Sequence, residues 1–106
     1  MSNKTYGLKK EREVMKMLYE DKDTYYVQRS RGSFGAFDVV AFTKDYVKLV
    51  SVKSTKKKYA SFRKEIEHLY NVPVPSYCKK YLYIYWSPRK DRKYKGWQII
   101  KISEGD

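Results

Sequence analysis

Residues 37–53 constrain this chain more than any other stretch, because "FDVVAF" and "VKLVSVK" are two runs of β-branched and apolar side chains separated only by "TKDY". Two such runs joined by a short polar turn form a β-hairpin. A symmetric turn sets opposite one another residues whose numbers total 89, which places Asp38 across from Ser51 and diagonal to Lys53. Opposed and diagonal Cβ atoms in a sheet are about 5 and about 7–8 Å apart, near enough to share one ion or one phosphate. Ser51 and Lys53, two apart on a strand, share a face.

The remaining segments supply what covers this hairpin. "GLKKEREVMKMLYE" (7–20) is rich in helix formers and sets Leu8, Glu11, Met15 and Leu18 on one stripe. Val14 flanks that stripe, and Lys9, Lys10, Arg12 and Lys16 fall largely elsewhere. "TYYVQRS" (24–30) reads as a strand ahead of the glycine-bearing turn "RGSFG". After the basic connector "TKKKY", residues 61–70 form a second helix, which Pro73 and Pro75 stop. "YLYIYW" (81–86) and "WQIIKI" (97–102) are two more strands, joined by the charged loop "SPRKDRKYKG". The order α-β-β-β-α-β-β combines a meander with a helical crossover, so the expected class is α/β, a mixed sheet flanked by helices. One domain, 1–106, accounts for the whole length.

Charge points to the partner. Twenty-four Lys and Arg oppose twelve Asp and Glu, a net charge of +12 that favours a polyanion, with nucleic acid ahead of an anionic membrane. No apolar run approaches the roughly 20 residues of a spanning helix, and the start "MSNKTYGLKK" carries no apolar signal region, so a soluble cytoplasmic protein is expected. Cys78 and His68 are single, which excludes an internal disulfide and a Cys/His zinc site. Any metal must have oxygen ligands, which suits Mg²⁺, with Mn²⁺ the alternative. Twelve tyrosines are too many for a disordered basic tail. Basic charge alone also fits a non-enzymatic binding protein.

Glu11 on an apolar stripe costs up to several kcal/mol unless a cation compensates it. Each of these residues has an ordinary reading. Asp38 can end a turn, Lys53 can be one more surface lysine, and Glu11 can pair with a base on its own helix. Taken together, the three outline a cation-binding cluster.

Four segments, "GLKKEREV", "VQRSRGSFGAFDVVA", "LVSVKSTKKKY" and "GWQIIKI", resemble in order and spacing the archaeal-type Holliday junction resolvases, a branch of the PD-(D/E)xK nuclease superfamily. The resemblance covers nearly the whole chain and implies a restriction-endonuclease-like fold. It assigns the glutamate of a G-x-x-x-E-R start to Glu11, the aspartate opening the second strand to Asp38, and the lysine of an acid-x-Lys pair to Lys53. Ser51 stands where the acid of that pair belongs. Three consequences are open: an inactive site that still binds DNA; Glu11 and Asp38 sufficing with one ion; or a migrated acid. The last follows restriction endonucleases with [Ser/Thr]-x-Lys, twelve or thirteen residues, then Glu. Here thirteen residues separate Lys53 from Glu67, and Glu65 lies at eleven. A surface Glu67 paired with Arg63 is the alternative.

By the same resemblance, Asp38, Glu67 and the Val52 carbonyl would hold Mg²⁺, with Glu11 on a second ion or a metal-bound water. Lys53 would orient or deprotonate the attacking water. Ser51 would add a hydroxyl at most, and Ser33 matches a phosphate-contacting serine unless it serves the turn alone. Lys9, Lys10, Arg12, Arg29, Arg31, Lys56, Lys57, Lys58 and Arg63 would cradle DNA phosphates, reading shape and not sequence. Arg89, Lys90, Arg92 and Lys93 are read as solvated charge. Tyr81, Tyr83 and Tyr85 are read as packing under a helix more readily than as base-stacking groups. A two-fold homodimer is implied, meeting through "YLYIYW" or "WQIIKI". The expected function is a metal-dependent, structure-specific endonuclease resolving four-way DNA junctions; a nicking or restriction-like nuclease and an inactive DNA-binding protein are the alternatives.

Overall fold

The structure, a computed structural model, describes residues 3–30 and 36–102. Its elements run α1 (Asn3–Tyr19), β1 (Thr24–Arg29), β2 (Val39–Thr43), β3 (Val47–Thr55), α2 (Arg63–Asn71), β4 (Cys78–Trp86) and β5 (Gly96–Ile102), the order read from the sequence. The five strands lie side by side in chain order. β3 and β4 are parallel, as the α2 crossover requires, and the other neighbours are antiparallel. The hairpin pairs Val39 with Val50 and Val40 with Leu49, the register the turn dictated.

β4 begins at Cys78, three residues before the expected Tyr81, because its ladder with β3 already starts there, at Val47 opposite Cys78. That extension buries Lys80 at 2% exposure. Its ammonium donates to carbonyls at the C-terminal end of α2, Tyr70 (3.0 Å) in the last turn and Val72 (2.6 Å) just past it. A lysine at a helix C-terminus meets orphan carbonyls and the negative end of the helix dipole. So one residue closes α2 and fixes it to the sheet.

α1 packs on one face. Val14 and Leu18 are buried against Val27, Val39, Ala41, Val50 and Tyr83. The Tyr19 hydroxyl accepts the Val27 amide (2.9 Å), tying the helix end to β1. The buried line is Lys10–Val14–Leu18, not the expected Leu8–Glu11–Met15–Leu18: Val14 is its centre, and Lys10 is 7% exposed. Lys10, expected as a DNA contact, lies on this buried line. Its ammonium pairs with Glu13 (2.8 Å) and lies 3.5 Å from the Tyr85 ring centroid, so a long stem fills apolar space while its head stays compensated.

α2 packs on the opposite face, where Leu69, Ile66 and Phe62 meet Leu82, Ile84 and Ile102. It covers β4 and β5, and leaves an apolar groove of about 470 Å³ beside Phe42, Leu49, Val74 and Tyr77. β4 lies between β3 and β5, with Leu82, Tyr83 and Ile84 buried. Tyr81, Tyr83, Trp97 and Tyr85 form a chain of inclined ring contacts toward α1, the packing reading of the tyrosine run. Burial, with Tyr46 alongside, pushes the Tyr81 hydroxyl up to about 12. Among the described residues no helix is long and apolar enough to cross a membrane.

Candidate active site

Strict alternation fails just ahead of β2. Phe37 belongs to the α2-side cluster and Val39, two residues on, to the α1-side cluster. The residue between them is Asp38. Its amide donates to the Val50 carbonyl (2.8 Å), although Val50 is already the partner of Val39. Two residues opposite one make a β-bulge, a device that re-aims a side chain. Asp38 therefore does not face Ser51 directly, as the turn alone implied. Its carboxylate reaches the exposed edge of β3 and accepts the Val52 amide at 2.7 Å.

β2 ends just there, so that edge of β3 has no strand beyond it. The N–H and C=O of one strand residue point to the same side. The Val52 carbonyl thus opens onto the space that Asp38 occupies.

Glu11 enters from α1. Burial is the main cause that raises its carboxyl above the usual range, and the Asp38 charge adds to it; Arg29 opposes both. The Arg29 Nε is 3.5 Å from a Glu11 oxygen, too long and poorly aligned for a hydrogen bond, and this buried donor is left without an acceptor among the described residues. The chain has gathered two anions and compensated them incompletely. Arg29, expected on DNA, has its guanidinium beside Glu11.

Lys53 is exposed, one residue past the amide that Asp38 holds. With Ser51 and Leu49 it lies on the α2 side of β3, whereas Val50 and Val52 face α1. Asp38 and Glu11 stand near one edge of β3, and Lys53 follows on that strand on its α2 side. Ser51 is 3% exposed beside Leu82, so the position of the missing acid is enclosed.

Glu67 is exposed on α2, and its carbonyl accepts the Asn71 side chain (2.9 Å). Glu65 is half-buried on the same helix. No three acidic, histidine or cysteine side chains gather into a metal-holding group among the described residues, so neither glutamate joins Glu11 and Asp38. Phe62, Ile66 and Leu69 set which side of α2 meets the sheet, and that choice turns Glu67 outward.

Of the basic residues, Lys9, Arg12, Lys56, Lys57 and Arg63 are exposed and Lys58 is half-buried. Arg31 and Ser33 lie outside the described residues. The loop read as solvated charge does more than that. Arg89 donates to the Lys56 carbonyl (2.7 Å) and to Asp91 (2.7 Å). Arg92 donates to the carbonyls of Lys57 and Ser87. Two guanidinium groups thus hold the basic connector that follows Lys53. Nothing in the local pattern of "SPRKDRKYKG" announces this, because the partners are main-chain atoms more than thirty residues away.

No family model matches the sequence, and no curated protein matches it significantly. Among solved structures, similarity is found to Archaeoglobus fulgidus Hjc, a Holliday junction resolvase from an archaeal hyperthermophile. The TM-score is 0.63 at 19% identity, over 92% of this chain and 73% of that one. The chain therefore has the expected restriction-endonuclease-like fold, a mixed sheet between two helices.

Proposed function

We propose that this protein is a divalent-metal-dependent endonuclease that cuts branched DNA, with four-way junctions as its substrate. One observation carries the reading. Glu11 and Asp38, from different elements, hold their charges against each other at the open edge of β3, and Lys53 follows on that strand. The fold shared with a junction resolvase supports it, as does the charge of +12.

The donors present fit Mg²⁺. Two carboxylates and the Val52 carbonyl are hard oxygen ligands, and Mg²⁺ commonly binds through one or two carboxylates with water and substrate phosphate completing its shell. The raised Glu11 carboxyl reports a site that gains from an added cation. Bound there, the ion would polarise the phosphodiester and acidify a water. Asp38, held by the Val52 amide, is a fixed ligand. Lys53 orients the attacking water and offsets charge developing on phosphorus. Lys9, Arg12, Lys57 and Arg63 attract phosphates without reading bases. Glu11 and Asp38 suffice in this account, and Glu67 is not needed.

A second reading rests on Ser51: without the acid of the acid-x-Lys pair, the protein binds branched DNA and leaves it intact. Symmetric cutting of a junction calls for a two-fold dimer, and the apolar groove beside Phe42 is the surface we assign to it. The test is cleavage of a synthetic four-way junction with and without Mg²⁺, comparing wild type with Asp38→Asn. Wild type should cut only with metal, and the variant should bind but not cut. An intact junction in every lane leaves the binding-only reading.

A further inference from the structure

Beyond Lys53, the connector leads to a cleft of about 340 Å³ lined by Lys58, Tyr59, Trp86, Arg92, Tyr94 and Gln98. We propose that this cleft takes one unpaired nucleobase of a DNA strand, held on the Tyr59 ring, while the strand's phosphates run over the adjoining cationic surface. The inference deepens the reading of the chain as a protein of branched DNA, and rests on it for where the unpaired base comes from.

Several observations meet at this spot. Tyr59 is 80% exposed, far more than packing would leave a tyrosine that served the core. The Lys58 ammonium lies 5.4 Å from its ring centroid, so the ring carries a cation beside its face. The opposite wall is polar and aromatic. The Arg92 guanidinium lies 4.9 Å from the Trp86 ring centroid, and Tyr94 meets Trp86 edge-on at 6.1 Å. Guanidinium planes and aromatic rings are the surfaces on which unstacked bases settle. Gln98 adds a hydrogen-bonding group: its carbonyl accepts the Trp86 indole N–H (2.9 Å), which leaves the amide N–H₂ pointing elsewhere for a base edge.

The cleft is also built in advance. Arg89 and Arg92 pin the main chain at Lys56 and Lys57, two residues before Tyr59, so the ring stands on a held segment and not on a loose loop. Preorganisation lowers the ordering cost of binding. A second cleft of about 330 Å³ shares Arg92 and is lined by Arg89, Lys90, Lys93 and Lys95, a place for phosphates. Four residues separate Lys53 from Lys58, a reach of at most about 18 Å when extended, a span of a few nucleotides. A base paired within a duplex has both faces covered and cannot enter, whereas one freed at a branch can.

The test uses labelled hexathymidylate and a labelled blunt duplex, each titrated with intact protein in EDTA at fixed salt and followed by anisotropy. Tyr59→Ala should weaken hexathymidylate binding by roughly tenfold, within the range for loss of one stacking ring, and leave duplex binding within about twofold. Tyr59→Phe should restore it, since the ring face and not the hydroxyl is invoked. Equal weakening of both ligands, no weakening of either, or failure of the Phe variant to restore binding overturns the proposal. Circular dichroism melts verify that the exposed substitution leaves the fold intact. Because no metal is present, a protein that never cuts junctions still reports here, so this result and the nuclease result fail separately.

Discussion

Asp38 serves two purposes that substitution can separate. Its carboxylate accepts the Val52 amide at 2.7 Å, and its charge acts on Glu11. Asp38→Ala removes both. An amide left without an acceptor costs about 1–3 kcal/mol, and at this half-buried edge, where water can enter, the lower part of that range applies, about 1–2 kcal/mol. For a domain of this size each kcal/mol moves the Tm by about 4–8 °C, so a fall of roughly 5–15 °C is expected. Asp38→Asn keeps an oxygen for the amide and relieves Glu11 of a neighbouring anion, so its Tm should change by less than about 3 °C. Both variants should lose Mg²⁺-dependent cleavage. In the Asn variant the Glu11 carboxyl should move back toward 4.5 but stop short of it, since burial is the larger cause. Thermal melts, junction cleavage and carboxyl NMR titration read the three outcomes. An Asn variant as unstable as the Ala variant, or a Glu11 titration unmoved by it, would refute the bulge-edge account of this site.

Four further outcomes follow from the same geometry. Since the Glu11 carboxyl is raised, the folded chain holds that proton more tightly than the unfolded one; this contribution is present at low pH and is lost as pH rises from 4.5 through the folded value. Melts between pH 4 and 7 should show that fall, Glu11→Gln should flatten it, and Mg²⁺ should offset it at neutral pH. Glu67→Gln should leave both Tm and cleavage unchanged, because the side chain is exposed and apart from the acids; loss of cleavage would favour a migrated acid. Ser51→Asp adds a carboxylate at a position 3% exposed, costing a few kcal/mol in EDTA and giving a larger Mg²⁺-dependent rise in Tm than wild type. Lys10→Met should lose about 1 kcal/mol in urea denaturation with its ring and Glu13 contacts, and leave DNA affinity within about twofold.

Some of this was legible because it is local. The hairpin register follows from turn length and alternation, and Val39 does face Val50. The tyrosine run alternates on a strand and packs as alternation requires. What failed to show depended on partners distant in sequence. Lys10 reads as surface charge until Tyr85 supplies a ring for it to lie on. Lys80 gives no local sign of burial, because the carbonyls that bind it, Tyr70 and Val72, sit at the end of α2. Arg89 and Arg92 read as solvated until the connector's carbonyls reach them.

The sequence by itself determined the order of elements, the pairing of the central hairpin and the large excess of positive charge, since periodicity, turn length and net charge are properties of neighbouring residues and of their sum. Only the tertiary structure decided which ionisable groups meet. A bulge at Asp38 turns its carboxylate to the bare edge of β3, and the packing of α1 carries Glu11 to the same edge. The packing of α2 leaves Glu67 outside. One residue of slip in a strand, or a rotation of a helix by a fraction of a turn, redirects a charge without altering any local pattern.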